Sequence, residues 1–135
     1  GALLSWSPHA TWTVLTSGLG SVRDLDVDPA GEHAVVLRGG GRLQLVRLRP
    51  LLAGAESAGA AGAWRVWADR GGCLSAGERG GLIRWHASRE LALQAAAEWP
   101  SRAPVTALCH LPQLAAVCVA DQAGSLHLLR RDSLQ

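Results

Sequence analysis

A glycine pattern that recurs at intervals of about forty residues is the strongest constraint on the fold of this chain. Gly1, Gly41, Gly80 and Gly124 are each followed two positions later by leucine, and five positions later by tryptophan, valine or leucine. Glycine supplies the positive φ angle that a tight hairpin turn needs. We therefore expect a hairpin turn at Gly41, Gly80 and Gly124, with the residues two before and two after each of these three glycines paired in an antiparallel ladder. Short strands at this period are typical of β-propeller blades.

Three stretches resemble the WD40 family, whose blades contain four strands, a to d, from the propeller axis outward. Gly77–Trp85 resembles the hairpin between strands b and c, and Val22–Gly31 resembles strand a with its Pro-x-Gly turn. Val105–Cys109 is similar to strand a of a later blade. The resemblance implies an all-β fold: a WD40-like β-propeller segment of antiparallel four-stranded blades. About three blades would be present, as an open fragment of a larger propeller.

The sequence departs from the WD40 pattern at several positions. Trp85 is followed by His86 and Trp6 by Ser7, so the Trp-Asp pair of the family is absent, as is its Gly-His pair. The resemblance therefore implies that the family's His–Ser–Asp–Trp hydrogen-bond network is incomplete here. We expect apolar packing to hold the blades together, with Trp85 buried in the core.

The repeat divides the chain into four units. Residues 1–17 would end one blade, 18–57 and 58–101 would each form a blade, and 102–135 would form an incomplete blade. The rest of the propeller is then expected in the same protein chain, as part of a larger multidomain protein. We expect these 135 residues alone to aggregate, to oligomerise or to stay partly molten, because uncovered blade faces and strand edges recruit other chains.

Two segments are ambiguous. The composition of 89–98, rich in Ala, Leu, Glu and Gln, favours a helix. The repeat register instead predicts an outer strand over Leu91–Ala95, and we follow the register because tertiary pairing often overrides propensity. Leu51–Ala53 is predicted as a short outer strand, and 54–62, rich in Ala and Gly, as a flexible surface loop.

The sequence lacks the motifs of the common catalytic and cofactor sites. It has no Gly-x-Ser-x-Gly motif, and Gly39–Gly41 is not followed by the Lys-Ser/Thr pair of a phosphate loop. Cys109 and His110 are adjacent, but no second Cys/His pair lies at a metal-ligand spacing. We therefore predict no catalytic residues, no metal site and no cofactor, and a protein that is not an enzyme.

The cysteines and the hydropathy pattern bear on the compartment. Cys73, Cys109 and Cys118 are odd in number, lie in predicted strands and are interpreted as small buried side chains in a reducing environment. No apolar run is long enough to span a bilayer and no signal-peptide pattern is present. We predict a cytoplasmic location without membrane insertion; a nuclear one stays open.

The charged residues point to a contact surface. All 13 basic residues are arginine, which makes planar bidentate contacts. In the WD40 family, the b–c loops and the loops between blades often bind partners, so the resemblance implies a scaffold for protein–protein interaction. The candidate partner-binding residues are Arg38, Glu78, Arg79, Trp99, Arg102 and Gln122. Two alternatives stay open: an RNA-binding propeller with an Arg/Trp rim, and a catalytic propeller whose active site lies in other blades.

Overall fold

A computed structural model describes residues 2–7, 10–17, 21–57, 62–77 and 79–135. Within the first two of these ranges, the description covers the backbone and, of the side chains, that of Leu3. The described residues form four antiparallel sheets and one short 3-10 helix, Pro112–Leu114, and they contain no α-helix. The prediction of an all-β chain is confirmed.

The strands follow one another within each sheet in chain order. The first sheet pairs β1 (Ala2–Ser7) with β2 (Ala10–Ser17). The second contains β3 (Val22–Val27), β4 (His33–Arg38), β5 (Arg42–Leu48) and β6 (Leu51–Ser57). The third contains β7 (Ala63–Asp69), β8 (Gly72–Gly77), β9 (Leu82–Ala87) and β10 (Leu93–Trp99). The fourth contains β11 (Val105–Leu111), β12 (Ala116–Asp121) and β13 (Leu126–Arg130). Such four-stranded meanders are the blades of a propeller.

The segment of ambiguous propensity is a strand, as the repeat register predicts. Its bounds differ from the prediction, because β10 begins at Leu93 and continues to Trp99. The preceding residues form a turn in which Ser88 N–H donates to Ala92 O (2.8 Å) and Leu91 has a φ of 62°. The turn delays the start of pairing, and the hydrogen bonds of the β9–β10 ladder outweigh the helical propensity of the alanines.

The prediction of a flexible loop directly after Leu51–Ala53 is wrong, because β6 continues to Ser57. Contacts on both sides explain the longer strand. The side-chain amide of Gln44 donates to Gly54 O (2.9 Å), and Ser57 Oγ donates to Leu93 O of the third sheet (2.8 Å). The remainder of the predicted loop begins with residues 58–61, which lie outside the described residues.

The hairpin glycines lie in turns, as predicted. Gly41, Gly80 and Gly124 have φ angles of 75°, 99° and 85°, the region that favours glycine. The predicted pairing around them is wrong by two residues: the residue two after each glycine pairs with the residue four before it. The turns are therefore longer than a two-residue hairpin loop. Gly1 lies outside the described residues.

The core lies between successive sheets. Strands β4 and β8 are buried on both faces, which explains their nearly continuous apolar sequences. In β8, Cys73 belongs to the cluster between the second and third sheets, whereas its neighbour Leu74 belongs to the cluster between the third and fourth sheets. Trp85 is 3% exposed within the first of these clusters, so its predicted burial is confirmed.

Two aspartates on β3 join the second sheet to the third. Asp24 Oδ2 accepts a hydrogen bond from Val66 N–H (2.8 Å), and Asp26 Oδ2 accepts one from Ala68 N–H (2.7 Å). Val66 and Ala68 belong to β7, the inner strand of the next blade. Hydrogen bonds to an ionised acceptor are stronger than neutral ones. The junction is therefore held by polar contacts as well as by the predicted apolar packing.

The interpretation of all three cysteines as buried residues is wrong in part. Cys73 is fully buried, but Cys109 is exposed and Cys118 is half-buried. Cys109 lies on β11, and its partner residue in the ladder is Cys118 on β12. Membership of a strand did not imply burial here, because most of β11, unlike β8, is exposed or half-buried.

Candidate functional site

Three of the six predicted partner-binding residues, Arg79, Arg102 and Gln122, lie at one end of the sheets, which we call the b–c end. We define it by the turns between the second and third strands of each blade and by the linker between the third and fourth sheets, and its described residues are 39–41, 79–81, 100–104 and 122–125. The hydrogen bonds from β7 to Asp24 and Asp26 align the inner strands of neighbouring blades. Their b–c turns therefore lie at the same end of the structure.

Close backbone packing brings three of the predicted residues together. A Cβ placed on Gly80 would lie 2.5 Å from Ser101 O and 2.9 Å from Ala103 O, so glycine is required where the turn meets the linker. From the other side, Gln122 N–H donates to Pro104 O (2.9 Å).

The linker thus lies between two hairpin turns. Arg79 precedes Gly80, Arg102 lies between the two carbonyls that Gly80 approaches, and Gln122 begins the other turn. All three side chains are exposed to solvent.

Arg38 and Glu78 differ from these three residues. Arg38 ends β4, and its guanidinium forms an ion pair with Glu56 of β6, which Arg42 also approaches (3.4 Å). Its side chain is 20% exposed, so a partner would compete with an existing contact. Glu78 lies outside the described residues.

Trp99 ends β10 beside this end of the sheets and is half-buried. Its indole packs against the imidazole of His127 on β13, with ring centroids 4.8 Å apart at an angle of 61°. The edge-to-face arrangement is one that aromatic rings favour. The ring therefore contributes to packing between the third and fourth sheets and offers a partner only part of its surface.

A small pocket lies next to Trp99. It has a volume of about 210 Å³ and is lined by Gly80, Gly81, Leu82 and Trp99 among others. Sites for small organic ligands usually occupy roughly 300 Å³ or more. The pocket is therefore suited to part of a side chain rather than to a cofactor. The described residues contain no cluster of three or more His, Cys, Asp or Glu that could hold a metal ion.

A polar contact of the WD40 type is present inside the third blade. Trp85 Nε1–H donates to Ser75 Oγ (2.9 Å), and both residues are buried. The resemblance implied an incomplete network, and this serine–tryptophan bond is the part of it that forms. It fixes the indole on strand c against strand b and provides the buried indole N–H with an acceptor.

A buried ion pair braces the opposite end of the third sheet. Both carboxylate oxygens of Asp69 accept hydrogen bonds from Arg84, and the Nη2–Oδ1 distance is 3.1 Å. Burial by itself raises the pKa of Asp69, but the hydrogen bond and charge of Arg84 outweigh it. The pKa of this carboxyl therefore lies below its ordinary value, and Asp69 is ionised at neutral pH.

The sequence interpretation missed both groups of aspartates. The pattern Asp24-x-Asp26 on an inner strand was a usable signal, because alternate strand residues point to one face and acidic residues on a covered face need donors. No comparable signal marked the pair of Asp69 and Arg84. They lie on β7 and β9, which are separated in the sheet by β8, and they meet through the pairing of both strands with β8.

The comparisons with known proteins agree with this architecture. No family model matches the sequence, and no curated protein matches it. Among solved structures, the crystal structure of the C-terminal WD40 domain of Sif2 superimposes with a TM-score of 0.69. The sequence identity is 14%, and the match covers 95% of this chain and 37% of that one.

The sheets of this chain are antiparallel meanders that pack face to face, and they superimpose on a WD40 domain. The chain is therefore a β-propeller segment. In particular, it has the fold of WD40 blades, as the resemblance implied, and it spans little more than a third of the chain it matches. No helix among the described residues is long and apolar enough to cross a membrane.

Proposed function

We propose that this chain is a non-catalytic scaffold that binds a protein partner through its b–c end. It would act as part of the WD40 propeller of a larger cytoplasmic protein, with the unit boundaries given above. The observation that carries the proposal is the packing of the linker 100–104 between two hairpin turns. This packing supports a shared binding surface for Arg79, Arg102 and Gln122.

The chemistry of this surface suits a protein partner. Arg79 and Arg102 are exposed, and no described carboxylate forms an ion pair with either of them. Arginine is enriched at protein interfaces because its planar guanidinium binds carboxylates in a bidentate manner.

The test compares two charge-matched double variants in quantitative affinity purification. Arg79→Gln with Arg102→Gln removes two charges from the b–c end. Arg49→Gln with Arg89→Gln removes two exposed charges from the turns between third and fourth strands, at the opposite end. We expect the first variant to lose the partners that the wild type and the second variant retain, with equal thermal melting. Retention of the same partners by both variants would refute the b–c end as the binding surface.

The same experiment separates a protein partner from RNA. Ribonuclease treatment leaves a direct protein complex intact and removes an RNA-dependent one. An RNA complex would also weaken steeply with rising salt, because phosphate contacts release counterions. A ribonuclease-sensitive, steeply salt-dependent association would replace the scaffold proposal with the RNA-binding one.

A further inference from the structure

A second cleft lies at the end of the sheets opposite the b–c end. It has a volume of about 870 Å³ and lies between the third and fourth sheets. Its lining includes Asp69 and Arg84 of the third sheet, His110 of β11, and Arg131 and Asp132 directly after β13. The cleft is separate from every residue assigned to the b–c end.

Three buried nitrogen atoms around this cleft lack a hydrogen-bond partner among the described residues. They are Arg84 Nε, His110 Nε2 and Arg131 Nε. Arg84 is 2% exposed, and its other nitrogens are committed to Asp69. A buried donor without an acceptor costs about 1–3 kcal/mol. The convergence of such atoms on one cleft indicates a site built to receive a group that accepts hydrogen bonds.

The charged side chains of the cleft walls indicate which kind of hydrogen-bond acceptor would bind there. Its walls carry three arginines, Arg70, Arg84 and Arg131, and two aspartates, Asp69 and Asp132. Burial lowers the pKa of His110, although Asp69 and Asp26 act to raise it, so its imidazole is neutral at neutral pH. The cleft therefore carries one excess positive charge while Asp132 lies at its edge and two when Asp132 is displaced, and this excess favours an anion.

A carboxylate already lies at the edge of this cleft. Asp132 Oδ1 is 3.9 Å from Arg84 Nη2 and 3.5 Å from Arg131 Nε. Both distances are at or beyond the limit of a hydrogen bond, and the Asp132 side chain is 62% exposed. The arrangement shows that a carboxylate fits between the two guanidinium groups without satisfying them.

We propose that this cleft binds a glutamate or aspartate side chain of an acidic peptide segment, which displaces Asp132 and accepts hydrogen bonds from the guanidinium groups of Arg131 and Arg84. The proposal rests on the proposed scaffold function and names the chemistry of a partner at a second surface. A carboxylate has two oxygens with about four acceptor positions, enough for the N–H donors that both guanidinium groups offer.

The test measures fluorescence polarisation of a labelled tetraglutamate peptide, acetylated and amidated at its ends, with the purified protein. Tetraglutamine is the neutral control and inorganic phosphate the competing anion. We expect binding of tetraglutamate only, and weak competition by phosphate. Arg131→Gln should weaken binding about tenfold, the effect of one charge-assisted hydrogen bond. Asp132→Asn should strengthen it several-fold, because the internal competitor loses its charge; misfolding would not produce this gain.

Arg102→Gln at the b–c end is the matched control and should leave tetraglutamate binding unchanged. Three results would overturn the proposal: equal binding of the two peptides, no gain from Asp132→Asn, or phosphate competition as strong as that of tetraglutamate. None of these three results depends on whether a partner protein binds through Arg79 and Arg102. A failure here therefore leaves the scaffold function intact, and a failure of the scaffold function does not prevent this measurement.

Discussion

Between the second and third sheets, Asp24 and Asp26 each accept a main-chain hydrogen bond from β7. Between the third and fourth sheets, the strand pairing places Arg65 and Trp67 at the equivalent positions. Their side chains donate hydrogen bonds but do not accept them. Arg65 accordingly donates to a carbonyl, Thr106 O (3.3 Å), and its guanidinium lies 5.1 Å from the ring centre of Trp67.

The first junction, between the second and third sheets, and the second junction, between the third and fourth sheets, also differ in their cores. The cluster between the second and third sheets includes the buried indole of Trp85 with its hydrogen bond to Ser75. The fully buried members of the cluster between the third and fourth sheets are aliphatic, and an open cleft lies beside it. Neighbouring sheets can therefore pack in the same geometry through different side-chain contacts. We infer that the second junction relies on packing and has room for a ligand.

The largest effect is expected from Trp85→Ala, which removes the indole from the first junction. The variant should lose about 3–5 kcal/mol of unfolding free energy, as large-to-small core substitutions do. Urea unfolding followed by circular dichroism measures the loss. Trp64→Ala is the control, because Trp64 is 36% exposed and Trp85 only 3%, and it should lose clearly less. Similar losses in the two variants would contradict the placement of Trp85.

An intermediate effect is expected from removing the polar side chain at equivalent positions of the two junctions, Asp24 in the first and Arg65 in the second. Asp24→Ala should lose about 1.5–3 kcal/mol, because it leaves the Val66 N–H without its charged acceptor. Arg65→Ala should lose less than about 1 kcal/mol, since a partly exposed cation–π contact contributes little. The same urea titration compares the two variants. A larger loss for Arg65→Ala would reverse the proposed order of the junctions.

The smallest perturbation uses the cysteines as probes and changes no residue. Burial raises the pKa of the Cys73 thiol to about 12, and Cys73 lies in the cluster of the first junction. Cys109 is exposed on β11. Because the thiolate is the reactive form, a maleimide reagent at neutral pH should modify Cys109 quickly and Cys73 only after unfolding. Peptide mapping by mass spectrometry gives both rates; early modification of Cys73 would mean that the first junction opens readily.

Much of the fold was predictable because its signals are local. The glycine period placed the hairpins, and β-branched and apolar runs placed the inner strands, which need only alternation and turn chemistry to be recognised. The predicted pairing around Gly41, Gly80 and Gly124 was wrong because a glycine marks a turn but does not set the number of residues in its loop. The strand at Gly54 was missed because its contacts, to Gln44 and through Ser57 to Leu93, come from elsewhere in the chain.

The candidate sites likewise contain some features that the sequence predicts and others that only the folded structure shows. Arg79, Arg102 and Gln122 were predicted because the repeat places them in loops that, by resemblance to the WD40 family, bind partners. It could not foresee the packing of Trp99 on His127 or the exposure of Cys109, because both depend on what covers a strand in three dimensions. The donors of Arg84, His110 and Arg131 share a cleft only because separate sheets meet there.

The sequence by itself therefore determined the strand order, the hairpin positions and the all-β class of this chain, since each rests on residues close together along the backbone. Tertiary structure decided which polar groups meet across the sheets: Asp24 with Val66, Asp69 with Arg84, and Trp85 with Ser75. The physical reason is that a hydrogen bond or ion pair needs its atoms within about 3 Å, and only folding sets such distances between residues far apart in the chain.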